Sequence, residues 1–410
     1  MKPQKLWLRF FFFVVGPGLV VMLADTDASS LITAAQSGAV WGYRMLLLQM
    51  ILIPILFIAQ ELTVRLGIVT QQGHGELIKN HFGKKWAWLS VSTLLLSCLG
   101  AMISEFNGVA GVGALFGIPP FYSVGLVIIF MITMAWTGSY HSVERCAILI
   151  GLFELIFVAV AVLAHPHYHE AWMTMWNVPV HNSQYWYLAA ANVGAVVMPW
   201  MIFYQQSAVI DKKLNLSHLK MARADTIIGA ILTQTIMASM VIITAATIGK
   251  TNPGVPLNTV SQISSALTPF LGKTVGEILF ALGMLGAALV AAIVVSLTSA
   301  WGLGEVLGYK RSLEHHPKEA PWFYAMYSLA LILSGTLVVS GLVNPVSISV
   351  AAVVMNALLL PIVLGFLFLL AVKTLPEPYR LKGTYAWVVG ILLGGTAFFG
   401  LIAGLWGIFD

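Results

Sequence analysis

Apolar residues fill this chain in runs of roughly 20, the length a helix needs to cross the hydrocarbon core of a bilayer. Eleven such runs can be drawn, at 11–33, 44–66, 86–113, 119–138, 144–165, 186–207, 226–249, 275–303, 321–342, 347–373 and 384–408. The connections are short, the two longest being 166–185 and 304–320. Two runs are interrupted near their middles: Gly16 to Ala35 at Asp25-Thr26-Asp27-Ala28-Ser29-Ser30, and Ala189 to Val209 at Met198-Pro199-Trp200. They are the first and the sixth. A repeat of five spans turns its second copy over, so the pattern predicts inverted repeats at 11–165 and 186–373 with an extra helix at 384–408. Broken helices at corresponding points of two halves mark a substrate site at the bilayer midplane, where unwinding frees backbone carbonyls. The expected fold class is therefore all-α and integral to the membrane, one domain over 1–410.

Composition agrees. The chain is 59% hydrophobic and 9% charged, against about 25% charged in soluble domains. Alternating the connections from an inside N-terminus puts 18 of the 21 Lys and Arg inside and leaves only Arg44, Lys250 and Lys273 outside. That asymmetry predicts a cytoplasmic N-terminus and an outside C-terminus. It also makes the net charge of +5 a topology signal, with no reason to invoke nucleic acid. The first run is too long for a cleaved signal peptide and is expected to stay in the mature protein. Cys98 and Cys146 fall in or beside spans, so they read as packing residues and imply no disulfide framework. Short loops and the lack of organelle signals point to a bacterial inner membrane.

Ionisable groups inside a membrane are costly and default to function. Asp25 and Asp27 lie in span one, Glu61 in span two, Glu105 in span three and Glu154 in span five, with no Lys or Arg deep in any span. An excess of buried acid asks for a mobile cation, either metal or proton. Asp27 is the first candidate ligand, and as a residue at a backbone break it also suits an N-cap. Asp25 is a further ligand or a group pairing elsewhere. Ser29 and Ser30 suit capping of the resumed helix or weak oxygen ligation. Met198, just before a helix-breaking Pro, offers a soft thioether that favours transition metals, whereas an all-oxygen site suits Mg²⁺ or Ca²⁺. Freed carbonyls of Ala24 and Ala195 complete a shell. Glu105 reads as a proton acceptor or as a helix-packing acid. Glu61 and Arg65 are spaced for a local i,i+4 ion pair and stay out of the site, and Glu154 has no assigned role. His165, His167 and His169 alternate in an outer loop, where a solvated segment is the simpler reading. No HExxH, Walker A loop or GxSxG elbow occurs, so nothing suggests an enzyme or a resident cofactor.

These residues together resemble the NRAMP family of divalent-metal transporters. The likeness runs through Gly16-Pro17-Gly18, Asp27, Leu66-Gly67-Ile68-Val69-Thr70, Phe116-Gly117-Ile118-Pro119 and Gly194-Ala195-Val196-Val197-Met198-Pro199, and in the second half through span number and Leu360-Pro361. It implies a LeuT-type transporter in which a span-one Asp and Asn and a span-six Met hold the metal. Asp27 and Met198 carry over. The Asn position is Ser30, the family's Pro-Gly is Ala28-Ser29, and the His after its Met-Pro is Trp200. Its span-three Asp-x-x-Glu proton route reads Glu105-x-x-Gly108, and Asn356 is the polar side chain nearest Leu360-Pro361.

The function expected is alternating-access uptake of Mn²⁺ or Fe²⁺ with a candidate proton relay at Glu105. Three alternatives stay open. One is a Mg²⁺ transporter of the same fold without proton coupling. Another is a sodium-coupled amino-acid symporter, whose substrate carboxylate two Asp would repel. The third is a non-transporting metal sensor, though no output domain accompanies the spans.

Overall fold

The computed structural model describes residues 16–137, 139–164, 166–341 and 345–409. Lys2, Lys5 and Arg9 of the expected basic tail, the first residues of span one at 11–15, and the predicted span-end positions 138, 165 (His165) and 342 lie outside the described residues. Among those described there is no strand, and ten helical runs are long and apolar enough to cross a membrane. One of them, Ala28–Thr70, contains two crossings joined by a 3-10 turn at Gly42–Met45. With the short half-helix Pro17–Asp25 joined to Ala28–Trp41 as span one, eleven crossings result.

Spans two to five are Leu46–Thr70, Lys84–Leu115, Pro120–Thr137 and Tyr140–Leu163; span six is Ser183–Val196 plus Pro199–Asp211. Spans seven to eleven are Leu219–Ala246, Lys273–Leu307, Pro321–Val339, Pro345–Lys373 and Gly383–Phe409. Spans one, six and eight are buried almost along their lengths, whereas spans four, nine and eleven expose large apolar side chains such as Phe121, Leu126, Leu329 and Phe398. Lipid tails are as apolar as Leu, so such outward faces need no protein cover, and the inner helices associate through close packing of small residues. Gly108 of span three shows how close: a Cβ there would sit 2.7 Å from Cβ of Ala28.

Both predicted breaks are present and shorter than expected. Span one unwinds only at Thr26 and Asp27, because Asp27 accepts the Ser30 N–H and so restarts the helix at Ala28. Span six unwinds at Val197 and Met198, because Pro199 occupies the first helical position, where its missing N–H costs nothing. Asp25 is thus the last residue of a half-helix, and Ala28, Ser29, Ser30 and Trp200 are helical.

One end of the bundle gathers the basic connections. There Glu61 pairs with Arg65 at 2.5 Å and with Arg223 at 2.7 Å, as the i,i+4 spacing of the first pair anticipates. Lys212 pairs with Glu144 at 2.9 Å, and Arg311 with Glu76 at 2.6 Å. At this end the short helix His74–Phe82 carries a buried His74 whose Nδ1 lies 3.0 Å from Oε1 of Gln206. Cys98 and Cys146 are free thiols, the first buried.

Candidate metal site

The break in span one is built by competition for one carboxylate. Oδ1 of Asp27 accepts the Ser29 hydroxyl at 2.6 Å and the Ser30 N–H at 2.7 Å. Neither serine caps the helix, as their sequence position had suggested; Asp27 is the cap, and both serve it. That leaves Oδ2 of Asp27, fully buried, accepting from no described donor. A capping carboxylate with one oxygen spent on the helix, and with the Glu105 carboxyl within hydrogen-bonding range, is suited to gripping a cation or sharing a proton at the break.

Span six meets it directly. The Ser30 hydroxyl donates to the Ala195 carbonyl at 3.1 Å, so the two interrupted helices touch through a residue of each break region. Met198 follows as the N-cap of Pro199–Asp211 with extended backbone, and Ala24, Ala195 and Met198 are all fully buried. Trp200 is buried too, its indole Nε1 without a described acceptor.

Three further acids surround the break. Oε2 of Glu105 from span three accepts the Ala28 N–H at 3.0 Å, so two carboxylates converge on the positive end of one half-helix. Its Oε1 accepts nothing from a described residue. Gly108, where the resemblance places a second acid, lies against Ala28, and this packing has no room for a side chain. Asp25 is buried with both carboxylate oxygens free of described donors. Glu154, unassigned from the sequence, comes from span five and accepts the Thr26 hydroxyl. Among the described residues none of these four acids pairs with a Lys, Arg or His; the ion pairs there use Glu61, Glu144, Glu170, Glu76, Glu319 and Glu377.

No three His, Cys, Asp or Glu side chains converge on one point among the described residues. An ion here would need other donors beside Asp27: a thioether, a hydroxyl or carbonyls. Met198, Ser30, Ala195 and Ala24 are the residues of that kind in the two breaks. His167 and His169 are exposed at the far end of the bundle, and Asn356 of span ten accepts the Ser97 hydroxyl at 2.7 Å.

The region is closed at both ends. At the basic end Asp225 of span seven accepts the Gly16 and Gly18 N–H groups at 3.2 and 2.8 Å, holding the first half-helix against the bundle. At the other end Gln36 accepts the Leu257 N–H at 2.8 Å. Beside it lies a cleft of about 300 Å³ lined in part by Gln36, Trp41, Asn258 and Ser347.

Eleven crossings, with the first and sixth unwound and touching at their breaks, define a membrane transporter fold of the LeuT type. A family model described as natural resistance-associated macrophage protein-like matches residues 18–405, and the chain belongs to this Nramp family. A divalent metal cation transporter MntH from Caldanaerobacter subterraneus subsp. tengcongensis is 25% identical over 275 residues, 65% of this chain and 65% of that one. The match thus spans just under two thirds of that relative. Another MntH, from Agrobacterium fabrum, is 24% identical over 349 residues, 81% of this chain and 73% of that one. Among solved structures, a manganese transporter of Eremococcus coleocola bound to an aromatic bis-isothiourea compound matches with a TM-score of 0.76. The identity is 17%, covering 100% of this chain and 90% of that one. These relatives are named as transporters, not as enzymes.

Proposed function

We propose that this protein carries a divalent metal ion across a bacterial inner membrane by alternating access, with Asp27 and Met198 as side-chain ligands. Ala24 and Ala195 carbonyls and Ser30 complete the shell. The observation that carries the reading is the contact between the breaks, Ser30 on the Ala195 carbonyl at 3.1 Å beside the free Oδ2 of Asp27. Membership of the Nramp family and the names of the relatives support a divalent cation as cargo. A soft thioether is a poor ligand for Mg²⁺ or Ca²⁺ and is better tolerated by transition-metal ions, of which Mn²⁺ and Fe²⁺ are the proposed cargo. The metal enters through the cleft near Gln36 and Asn258. It leaves when Asp225 releases Gly16 and Gly18 and the half-helix Pro17–Asp25 swings out.

The same reading puts the basic end in the cytoplasm, with the N-terminus inside and the C-terminus outside, and takes 11–165 and 186–373 as the inverted repeats. Glu105, bonded to the restarted helix next to Asp27, is the residue through which protons would couple. One observation favours a second reading, Mg²⁺ as cargo: the acids crowding the break are hard oxygen donors. Isotope uptake into sealed proteoliposomes tests the proposal. Saturable Mn²⁺ entry that Asp27→Ala removes supports a carrier, whereas binding without entry makes the protein a sensor.

A further inference from the structure

Span three starts at Lys84 and span ten ends at Lys373, both at the basic end of the bundle. Rings join the two ends. Phe366 of span ten meets Phe82 at 5.8 Å and Trp86 at 5.9 Å between centroids, and Nζ of Lys373 lies 5.5 Å from the centre of the Phe82 ring. An ammonium over an aromatic face at that distance is held in place without a carboxylate. Lys84 and Lys85 begin span three between two residues that both rest on Phe366. Among the described residues none of these three lysines forms an ion pair, whereas Arg65, Lys212, Arg223, Arg311 and Lys382 at this end all do. Toward the middle of the membrane the same corner turns apolar. Phe366, Leu369 and Lys373 follow one face of span ten, and Leu89 is the i+4 and i+3 neighbour of Lys85 and Trp86 on span three. Trp86, Leu89 and Leu369 are exposed, and all three belong to membrane-crossing segments.

We propose that this corner binds an anionic phospholipid, with Lys84, Lys85 and Lys373 on the headgroup phosphate and an acyl chain along Trp86, Leu89 and Leu369. Charge and depth select that occupant. Lysines at the membrane surface attract anionic lipids, and basic recesses between spans hold their headgroups. The exposed Trp86 and Trp88 are of the residue type that sits at headgroup level. A free phosphate would engage the lysines alone and leave the apolar strip beside them uncovered, whereas a phospholipid satisfies both. A headgroup shared by Lys373 and the Lys84-Lys85 pair ties span ten to span three. The two spans already pack closely deeper in the membrane, where a Cβ at Gly100 would lie 3.0 Å from Cε of Met355. Span three carries Glu105, so the lipid steadies the frame on which that carboxyl meets the restarted helix.

Lipid binding does not rest on the carrier reading and is measured without transport. The purified full-length protein in detergent is titrated with phosphatidylglycerol or with phosphatidylcholine, and bound lipid is counted by native mass spectrometry. Wild type prefers phosphatidylglycerol. Each lysine near an anionic surface contributes roughly fivefold in affinity, so a variant carrying Lys84→Gln, Lys85→Gln and Lys373→Gln binds that lipid about a hundredfold more weakly, with phosphatidylcholine binding unchanged. The matching variant with Lys84→Arg, Lys85→Arg and Lys373→Arg keeps the preference, which separates lost charge from misfolding. Lys213→Gln, Lys220→Gln and Lys318→Gln together remove the same charge from exposed positions elsewhere and leave the preference as in wild type. Equal affinity of wild type for the two lipids, unchanged affinity in the first variant, or equal weakening by both glutamine variants each overturns the site. Phosphatidylglycerol displaced by equimolar inorganic phosphate marks a free-anion site and overturns the lipid.

Discussion

At the residue scale the proposed carrier gives Asp27 two tasks with separate oxygens, capping and metal binding, and the tasks can be pulled apart. Oδ1 holds the Ser29 and Ser30 donors, while Oδ2 accepts from no described donor and the Glu105 carboxyl lies close by. Asp27→Ser keeps an oxygen for the cap and removes the charge; Asp27→Ala removes both, at about 1 kcal/mol of helix stability. Both variants are expected to take up no metal, but only the alanine should melt earlier, a split read by uptake and thermal denaturation on the same preparations. Equal melting temperatures would show that the cap contributes nothing. The places of Asp27 and Met198 at the two breaks were legible in the sequence because each stands beside a helix break in an apolar run. Glu154 was visible only as an acid inside span five with no role, since its partner, Thr26, is distant in sequence and close only in the fold. Gly108 explains a departure that sequence alone could only note, because the space for an acid is taken by Ala28.

At the scale of elements, the half-helix Pro17–Asp25 is clasped rather than merely packed. Asp225 receives two of its leading N–H groups, and a Cβ at Gly18 would stand 2.6 Å from Oδ2 of that carboxylate. Gly18→Ala should cost about 1–3 kcal/mol by overpacking and open the basic end, raising thiol labelling of a cysteine placed at Ala24. Unchanged labelling would show that the clasp does not gate. The helix His74–Phe82 gives a pH signature. Burial pushes His74 down to about 4 from its usual 6.5. The unfolded chain then binds a proton that the folded one refuses. Stability is full above about pH 6.5 and falls by up to about 3 kcal/mol toward pH 4. His74→Gln should flatten that part of the profile in melts from pH 7 to 5. Most span limits were readable from hydropathy to within about four residues, but span one runs on to Trp41 and span seven begins at Leu219, seven or eight residues beyond the expected 33 and 226. The breaks were read too wide, because a polar stretch shows where a helix is weakened and not which residue restarts it: Asp27 and Pro199 do so almost at once.

At the scale of the whole molecule, ion pairs of Arg65 and Arg223 with Glu61, Lys212 with Glu144 and Arg311 with Glu76 lock together span ends and connections at one end of the bundle. This end is expected in the cytoplasm. Reporter fusions should place the N-terminus inside and the C-terminus outside; both termini on one side would mean a miscounted crossing. The fold was largely present in the spacing of apolar runs, because each crossing must satisfy its own backbone hydrogen bonds. Closure at both ends could not be read that way, since Asp225 on Gly16 and Gln36 on Leu257 join segments far apart in the chain. The most direct test of the account is Mn²⁺ uptake by wild type and Met198→Ala in proteoliposomes under rising Mg²⁺. The account predicts that wild-type entry resists a large Mg²⁺ excess and that the variant loses this resistance while still transporting. Equal competition by Mg²⁺ in wild type, or selectivity unchanged in Met198→Ala, would contradict a thioether-tuned divalent-metal site.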